Sequence, residues 1–247
     1  MFTIAVSPCS NPEMSLDEAL AAYSRLGYSR FEMFTSWAKS AADYLDDPQP
    51  YLDLAAKHGF SYCAIHLPAL IDDLDKSIAE AVQACRFGVE IGCRVAIVKT
   101  SSKANLFAGA EDLLDAIADL PIVPVLQNHK GTAISTLEDC LEALSGVHDP
   151  RMQCLLEVGH FHSVGVPWRI AYEALRGRVR HVHIKDQIGP QSIPFGKGEI
   201  DLSGLFARLV EDGYEGDVVV EMEVRDRENT LAYLADALQY IKENAPG

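Results

Sequence analysis

The chain has 247 residues, enough to bury one large core, and 48% of them are hydrophobic, the balance of an ordinary globular protein. Its formal net charge of −15 repels phosphate backbones and anionic membrane surfaces, which bind proteins by exchanging counterions for Lys and Arg. Nucleic acid and membrane are therefore excluded as expected partners, and with no basic-then-apolar leader in residues 1–10 and no run long enough to span a bilayer, a cytoplasmic protein is expected.

The first apolar, β-branched run covers residues 2–6 and leads into Ser7-Pro8-Cys9-Ser10. Spacing then predicts a helix over 15–26, a strand over 30–34, a helix over 52–58 and a strand over 62–67. The clearest helix is 73–91, where Leu74, Ile78, Val82, Cys85 and Val89 recur every three or four residues and line one face. Asp72 and Asp73 suit its positive end, and Gly92 follows its last turn. Further on come a strand over 94–99, a helix over 110–120, a strand over 122–128, a helix over 135–144 and a strand over 152–158. A helix over 167–175, a strand over 179–185, a helix over 202–211 and a strand over 217–222 follow; a last helix carries Leu231, Leu234, Leu238 and Ile241 on one face.

Strands alternating with helices make a parallel sheet, and eight units of roughly thirty residues make a single (β/α)8 TIM barrel, one domain over residues 1–247. An open doubly wound sheet usually carries a glycine-rich phosphate turn after its first strand, and Ser7-Pro8-Cys9-Ser10 has no glycine. The six cysteines, Cys9, Cys63, Cys85, Cys93, Cys140 and Cys154, include no close pair and read as reduced, structural thiols.

From the second strand to the eighth, each run ends in a polar residue: Glu32, His66, Lys99, Gln127, Glu157, His183 and Glu221. A parallel barrel brings all strand C-termini to one rim, so these residues converge. In Arg180-His181-Val182-His183-Ile184-Lys185-Asp186 the alternation of a strand sends His181, His183 and Lys185 to one side, where buried polar groups need a partner such as a metal or an anionic substrate. Lys99, with Thr100-Ser101-Ser102 and Lys103, offers a carboxylate or phosphate site. His181 reads as a satisfied core histidine, His162 as a loop residue, and His58 and His148 as surface residues.

His181-Val182-His183-Ile184-Lys185-Asp186, Pro194-Phe195-Gly196-Lys197-Gly198, Asp201-Leu202, Gly213-Tyr214-Glu215-Gly216 and Val218-Val219-Val220-Glu221-Met222-Glu223 resemble the C-terminal third of the xylose isomerase-like barrel family. Phe31-Glu32, Ile65-His66-Leu67-Pro68 and Asn128-His129 carry the resemblance earlier in the chain. That family includes sugar-phosphate isomerases and epimerases, hydroxypyruvate isomerases, inosose and dehydroshikimate dehydratases, and endonuclease IV. Many members hold one divalent cation, Mn, Mg, Co or Zn, with Glu, Asp, His and Glu at the ends of the fifth to eighth strands. The resemblance puts these ligands at Gln127, Glu157, His183 and Glu221. It also implies that Glu32, His66 and His160 line the substrate pocket, although Glu32 equally suits a buried Arg or Lys.

Two ligand positions depart from the pattern. Gln127 stands where the family usually has Glu: an amide oxygen can ligate a hard cation, yet it carries no charge and cannot act as a base. Glu157 stands for Asp and keeps the charge at the cost of a longer arm. Two carboxylates in place of three should weaken affinity and leave the cation a stronger Lewis acid.

The implied activity is that of an isomerase or epimerase acting on a sugar, a sugar phosphate or a small hydroxy-ketone through an enediolate. Glu221 moves the proton, and Lys185 or His160 supplies the acid–base help that Gln127 cannot give. Lys185 fills that role if a nearby metal lowers its pKa; otherwise it pairs with Glu157 or Glu223. A dehydratase of the inosose or dehydroshikimate type demands less of position 127, and a sugar-binding barrel without catalysis is the third reading. The expected partner is a small polyol, sugar or hydroxy-keto acid, with homo-oligomerisation left open. The endonuclease branch is set aside, because it needs three zinc ions and a basic footprint.

Overall fold

Strands buried at nearly every position need cover on both faces, which a ring inside a coat of helices provides. In the computed structural model, which describes residues 2–246, such runs form eight parallel strands. They are β1 (Thr3–Val6), β2 (Arg30–Met33), β3 (Ser61–His66), β4 (Val95–Val98), β5 (Val123–Gln127), β6 (Gln153–Glu157), β7 (Val179–Ile184) and β10 (Asp217–Val220). They close as β1-β10-β7-β6-β5-β4-β3-β2, the single (β/α)8 barrel expected from the sequence.

The main coat helices are α1 (Leu16–Leu26), α2 (Gln49–His58), α3 (Leu74–Glu90), α4 (Lys103–Ala116), α5 (Leu137–Val147), α7 (Trp168–Leu175), α8 (Leu202–Glu211) and α9 (Thr230–Asn244). Local chemistry sets their ends. Ser15 with Glu18, and Thr136 with Asp139, form capping boxes, and Asp73 caps α3 through the Lys76 N–H. Among the described residues no helix is long and apolar enough to cross a membrane.

Three features differ from expectation. The helix expected over 110–120 begins at Lys103, because the Ser102 hydroxyl accepts from the Asn105 N–H and starts α4 seven residues early. A short helix α6 (Val158–Ser163) follows β6 directly; it holds His162, expected in a loop, against Glu199 at 3.2 Å. An antiparallel hairpin, β8 (Asp186–Ile188) with β9 (Gln191–Ile193), stands past β7; the Asp186 carboxylate pins its base by accepting from the N–H groups of Gln187 and Gly198 at 2.9 and 2.8 Å.

The large core lies between ring and helices. Inside the ring a second apolar cluster contains Ala5, Val95, Ile97, Val125, Leu155 and Val219, which fills the barrel and leaves only its C-terminal rim for polar groups. At the opposite end Arg30 of β2 reaches past β1 to Asp217 of β10 in a two-pronged ion pair, at 2.5 and 2.8 Å. The pair braces the ring where β1 and β2 share one register position.

Candidate active site

The site is layered. Lowest is Glu32 of β2, fully buried, whose carboxylate faces three imidazoles. Its oxygens lie 2.7 Å from His66 Nε2, 2.9 Å from His181 Nε2 and 2.7 Å from His183 Nε2. Burial alone would raise this carboxyl, but His183 and His66 outweigh it and hold Glu32 well below the usual carboxylate range. An ionised carboxylate accepts only, so all three nitrogens donate N–H. Glu32 thus neither lines the cavity nor pairs with a buried Arg or Lys; it sits beneath the site and orients its histidines.

Burial, aided by Lys99, lowers His66 to about 4, so its ring is neutral, with its one proton on Nε2. Its Nδ1 and that of His181 have no hydrogen-bond partner among the described residues, and the His66 ring rests 4.2 Å from Phe34.

In the layer above, with Nε2–H committed to Glu32, His183 turns Nδ1 toward two carboxylates. Glu157 Oε2 lies 3.0 Å away and Glu221 Oε1 3.2 Å away. A neutral ring would present a lone pair to two anions; only a positive charge there satisfies all three. A proton does so, and the His183 pKa is raised well above normal by Glu32 and Glu221 against the opposing effect of burial. A dication does so equally. Ligand atoms of Glu157, His183 and Glu221 lie within 4.8 Å of one another, and Gln127 at the end of β5 lines the same cavity as Glu221, its amide without a hydrogen-bond partner among the described residues. Two carboxylate oxygens, an imidazole nitrogen and an amide oxygen fit a Mn, Mg, Co or Zn ion. Asn128 steadies this layer: its Oδ1 accepts from Glu157 N–H at 3.0 Å, and its Nδ2 donates to Glu157 O at 3.2 Å.

Lys185, just past β7, is buried with its ammonium 2.5 Å from Glu221 Oε2, 2.7 Å from Glu223 Oε2 and 3.8 Å from Glu157 Oε1. Burial opposes its charge, but Glu157, Glu221 and Glu223 outweigh that and raise its pKa well above normal. Of the two pairings expected for Lys185, that with Glu223 is the closer, and Glu221 joins it. Gly159 makes room for the stem: a Cβ there would meet Lys185 Cγ at 2.3 Å.

Over these layers opens a cavity of about 230 Å³, lined among others by Glu221, Gln127, His66, His160 and Lys99. Pockets for drug-sized ligands run from about 300 Å³ upward, so this one suits a molecule of monosaccharide size. His160 is lowered to about 4, chiefly by burial, and its ring lies tilted against that of His129, centroids 3.9 Å apart. Sequence reasoning missed that Cys9, buried in a small apolar cluster with Phe34 and Ala38, also lies on the cavity wall beside Glu221 and Glu223. It also missed Trp37, 62% exposed at the mouth with a left-handed φ of 53°. No periodicity marks a loop residue of that kind. Lys103, grouped with Lys99 in the sequence, instead pairs with Asp139 and Glu142 between α4 and α5.

The profile of the xylose isomerase-like TIM barrel matches residues 20–244. The chain belongs to that family. Among its xylose isomerase-like relatives, an inosose dehydratase of Clostridium tetani is 31% identical over 143 residues, which is 49% of this chain and 47% of that protein, so the chain matches about half of it. An inosose dehydratase of Mesomycoplasma hyopneumoniae is 23% identical and aligns over 93% of this chain and 89% of its own length. The L-ribulose-5-phosphate 3-epimerase UlaE of Salmonella paratyphi C is also 23% identical, over 93% and 83%. The fold is shared with the crystal structure of IOLI protein with a binding zinc atom: TM-score 0.79, 17% identity, 98% of this chain and 97% of that one.

Proposed function

We propose that this protein is a metal-dependent lyase that removes water from a small keto-polyol. The observation that carries this reading is Gln127 on the cavity wall. Proton exchange on both faces of a carbon needs two acid–base groups, and an amide at neutral pH is neither. Dehydration needs one base for the proton α to the carbonyl and one proton donor for the departing β-hydroxyl. Glu221 is held ionised by Lys185 and His183, which outweigh its burial, and is ready to accept the α-proton. The Lys185 ammonium, buried in contact with Glu221 and Glu223, supplies the proton for the hydroxyl through Glu223, which lines the cavity.

The balance closes. The Cα–H bond breaks toward Glu221, a carbon–carbon double bond forms, the β C–O bond breaks, and hydroxide leaves as water with the proton from Lys185. Proton transfer from Glu221 to Lys185 across their 2.5 Å contact then restores both groups. A divalent cation held by Gln127, Glu157, His183 and Glu221 would supply Lewis-acid polarisation of the substrate carbonyl. Glu32 fixes the tautomer that leaves His183 Nδ1 free as a ligand. The likeness to the inosose dehydratases of Clostridium tetani and Mesomycoplasma hyopneumoniae, and the zinc in the IOLI structure, support this reading.

Isomerisation or epimerisation is the second reading, favoured by the neutral His160 imidazole on the wall, a base able to work beside Glu221, and by the likeness to UlaE. The metal-loaded protein should be incubated with an inosose and with L-ribulose 5-phosphate, and the products weighed by mass spectrometry. Loss of one water from the inosose is the expected result. An isomer of unchanged mass as sole product overturns the lyase reading in favour of the second, and no turnover of either by a protein that binds metal and both compounds leaves the non-catalytic barrel.

A further inference from the structure

The cavity wall has one ammonium that no carboxylate among the described residues contacts. The Thr100 hydroxyl donates to Ser102 O at 2.7 Å, and that of Thr132 to His129 O at 2.8 Å. Glu221 and Glu223 share Lys185, and His66 Nε2–H serves Glu32. Lys99, immediately after β4, has neither an acidic partner within 4.0 Å nor a hydrogen bond among the described residues; its ammonium sits 5.8 Å from the Phe34 ring centroid. The other lysines not fully exposed, Lys103 and Lys185, are each paired with at least two carboxylates. Glu32 and Glu221 act on it from a distance and do not offset its burial, so a partly buried ammonium with no contacting counter-charge costs stability unless a ligand supplies one.

Its position is informative. In the closed ring β4 stands four strands from β10 in either direction, so Lys99 lies diametrically across the rim from Glu221 and Glu223. The cavity therefore carries charge on two opposite sides, with acids and the candidate cation site on one and the Lys99 ammonium on the other. We propose that Lys99 anchors a carboxylate, and that the substrate is a keto-polyol acid whose reacting carbon lies toward Glu221 and whose carboxylate lies toward β4. This rests on the reading of the cavity as a polyol site. Phosphate shares the charge, but it is best held by several N–H donors converging at a helix start. Here the first turn of α4 is closed by its own cap, Ser102 Oγ accepting from Asn105 N–H at 3.1 Å, and a single ammonium suits a carboxylate.

The test compares three ligands on one ring scaffold: myo-inositol (neutral), quinate (a carboxylate) and myo-inositol 1-phosphate. They are titrated by calorimetry into the zinc-loaded full chain and its Lys99→Met variant. At low salt the wild type should bind quinate about tenfold more tightly than myo-inositol. Lys99→Met should abolish that advantage, bringing the quinate Kd to that of myo-inositol, and melt no lower than the wild type, since a buried charge with no contacting partner is gone. Equal Kd values for quinate and myo-inositol in the wild type, or an advantage surviving in Lys99→Met, overturn the anchor. Tighter binding of the phosphate than of quinate overturns the carboxylate. Failure of all three to bind instead removes the polyol-site reading beneath it.

Discussion

Glu32→Gln keeps the shape of the side chain and removes its charge. Glu32 accepts three ring N–H groups at 2.7, 2.9 and 2.7 Å. Glutamine offers one carbonyl oxygen and an NH2 group, so at least one imidazole faces a donor. Hydrogen bonds to charged groups are worth roughly 1.5–3 kcal/mol each, and the lost bond falls in that range. When a cation replaces the His183 proton that faces Glu157 and Glu221, the Nε2–H that remains has lost its anionic acceptor, and the ring is a poorer ligand. Carboxylates behind metal-bound histidines are worth about 10- to 100-fold in affinity. We expect Glu32→Gln to weaken zinc binding by that factor, roughly 1.4–2.7 kcal/mol, in competition with a chromogenic chelator. Melting in chelator separates the two effects: the apo protein loses some stability, and the extra stabilisation by zinc shrinks as well. An affinity equal to wild type in a variant that merely melts lower would refute the reasoning and leave Glu32 as a core residue only.

Gln127→Glu adds a third carboxylate to the candidate metal layer; at an effective dielectric near 20, one charge about 4 Å from a cation is worth several kcal/mol before desolvation, so affinity should rise by at least about tenfold, read in the same chelator assay. Gly159→Ala places a methyl 2.3 Å from Lys185 Cγ and must push the stem aside, so overpacking should destabilise by about 1–3 kcal/mol and cut turnover more than it alters zinc affinity. His66, lowered from 6.5 to about 4 in the fold, binds its proton first in the unfolded chain. Its neutral form therefore gives full stability above about pH 6.5, lost as pH falls toward 4, and the stability gap between wild type and His66→Asn in urea should narrow by roughly 3 kcal/mol over that window. A gap that does not change with pH would contradict the assigned neutral ring.

The sequence alone determined the ring and its rim. Apolar runs of strand length alternating with 3.6-period stripes leave few ways to bury both faces of a sheet, and a parallel barrel sends every strand end to one side. Glu32, His66, Lys99, Gln127, Glu157, His183 and Glu221 were for that reason nameable before any coordinates, and the side-chain alternation on β7 placed His181 and His183 inward. Only the tertiary structure decided what each polar end meets, because partners in a closed barrel come from strands far apart in the chain. Glu32 and His183 are 151 residues apart, yet one carboxylate of β2 sets the tautomer of a ring on β7. Lys185 had acids on several strands to choose from, and distance selected Glu221 and Glu223 over Glu157. Neighbouring Lys99 and Lys103 were read together, yet a cap at Ser102 turned the second to the outside and left the first facing the cavity. Periodicity fixes which side of an element a residue takes; which charges neutralise one another depends on distances across the ring, and those exist only once it has closed.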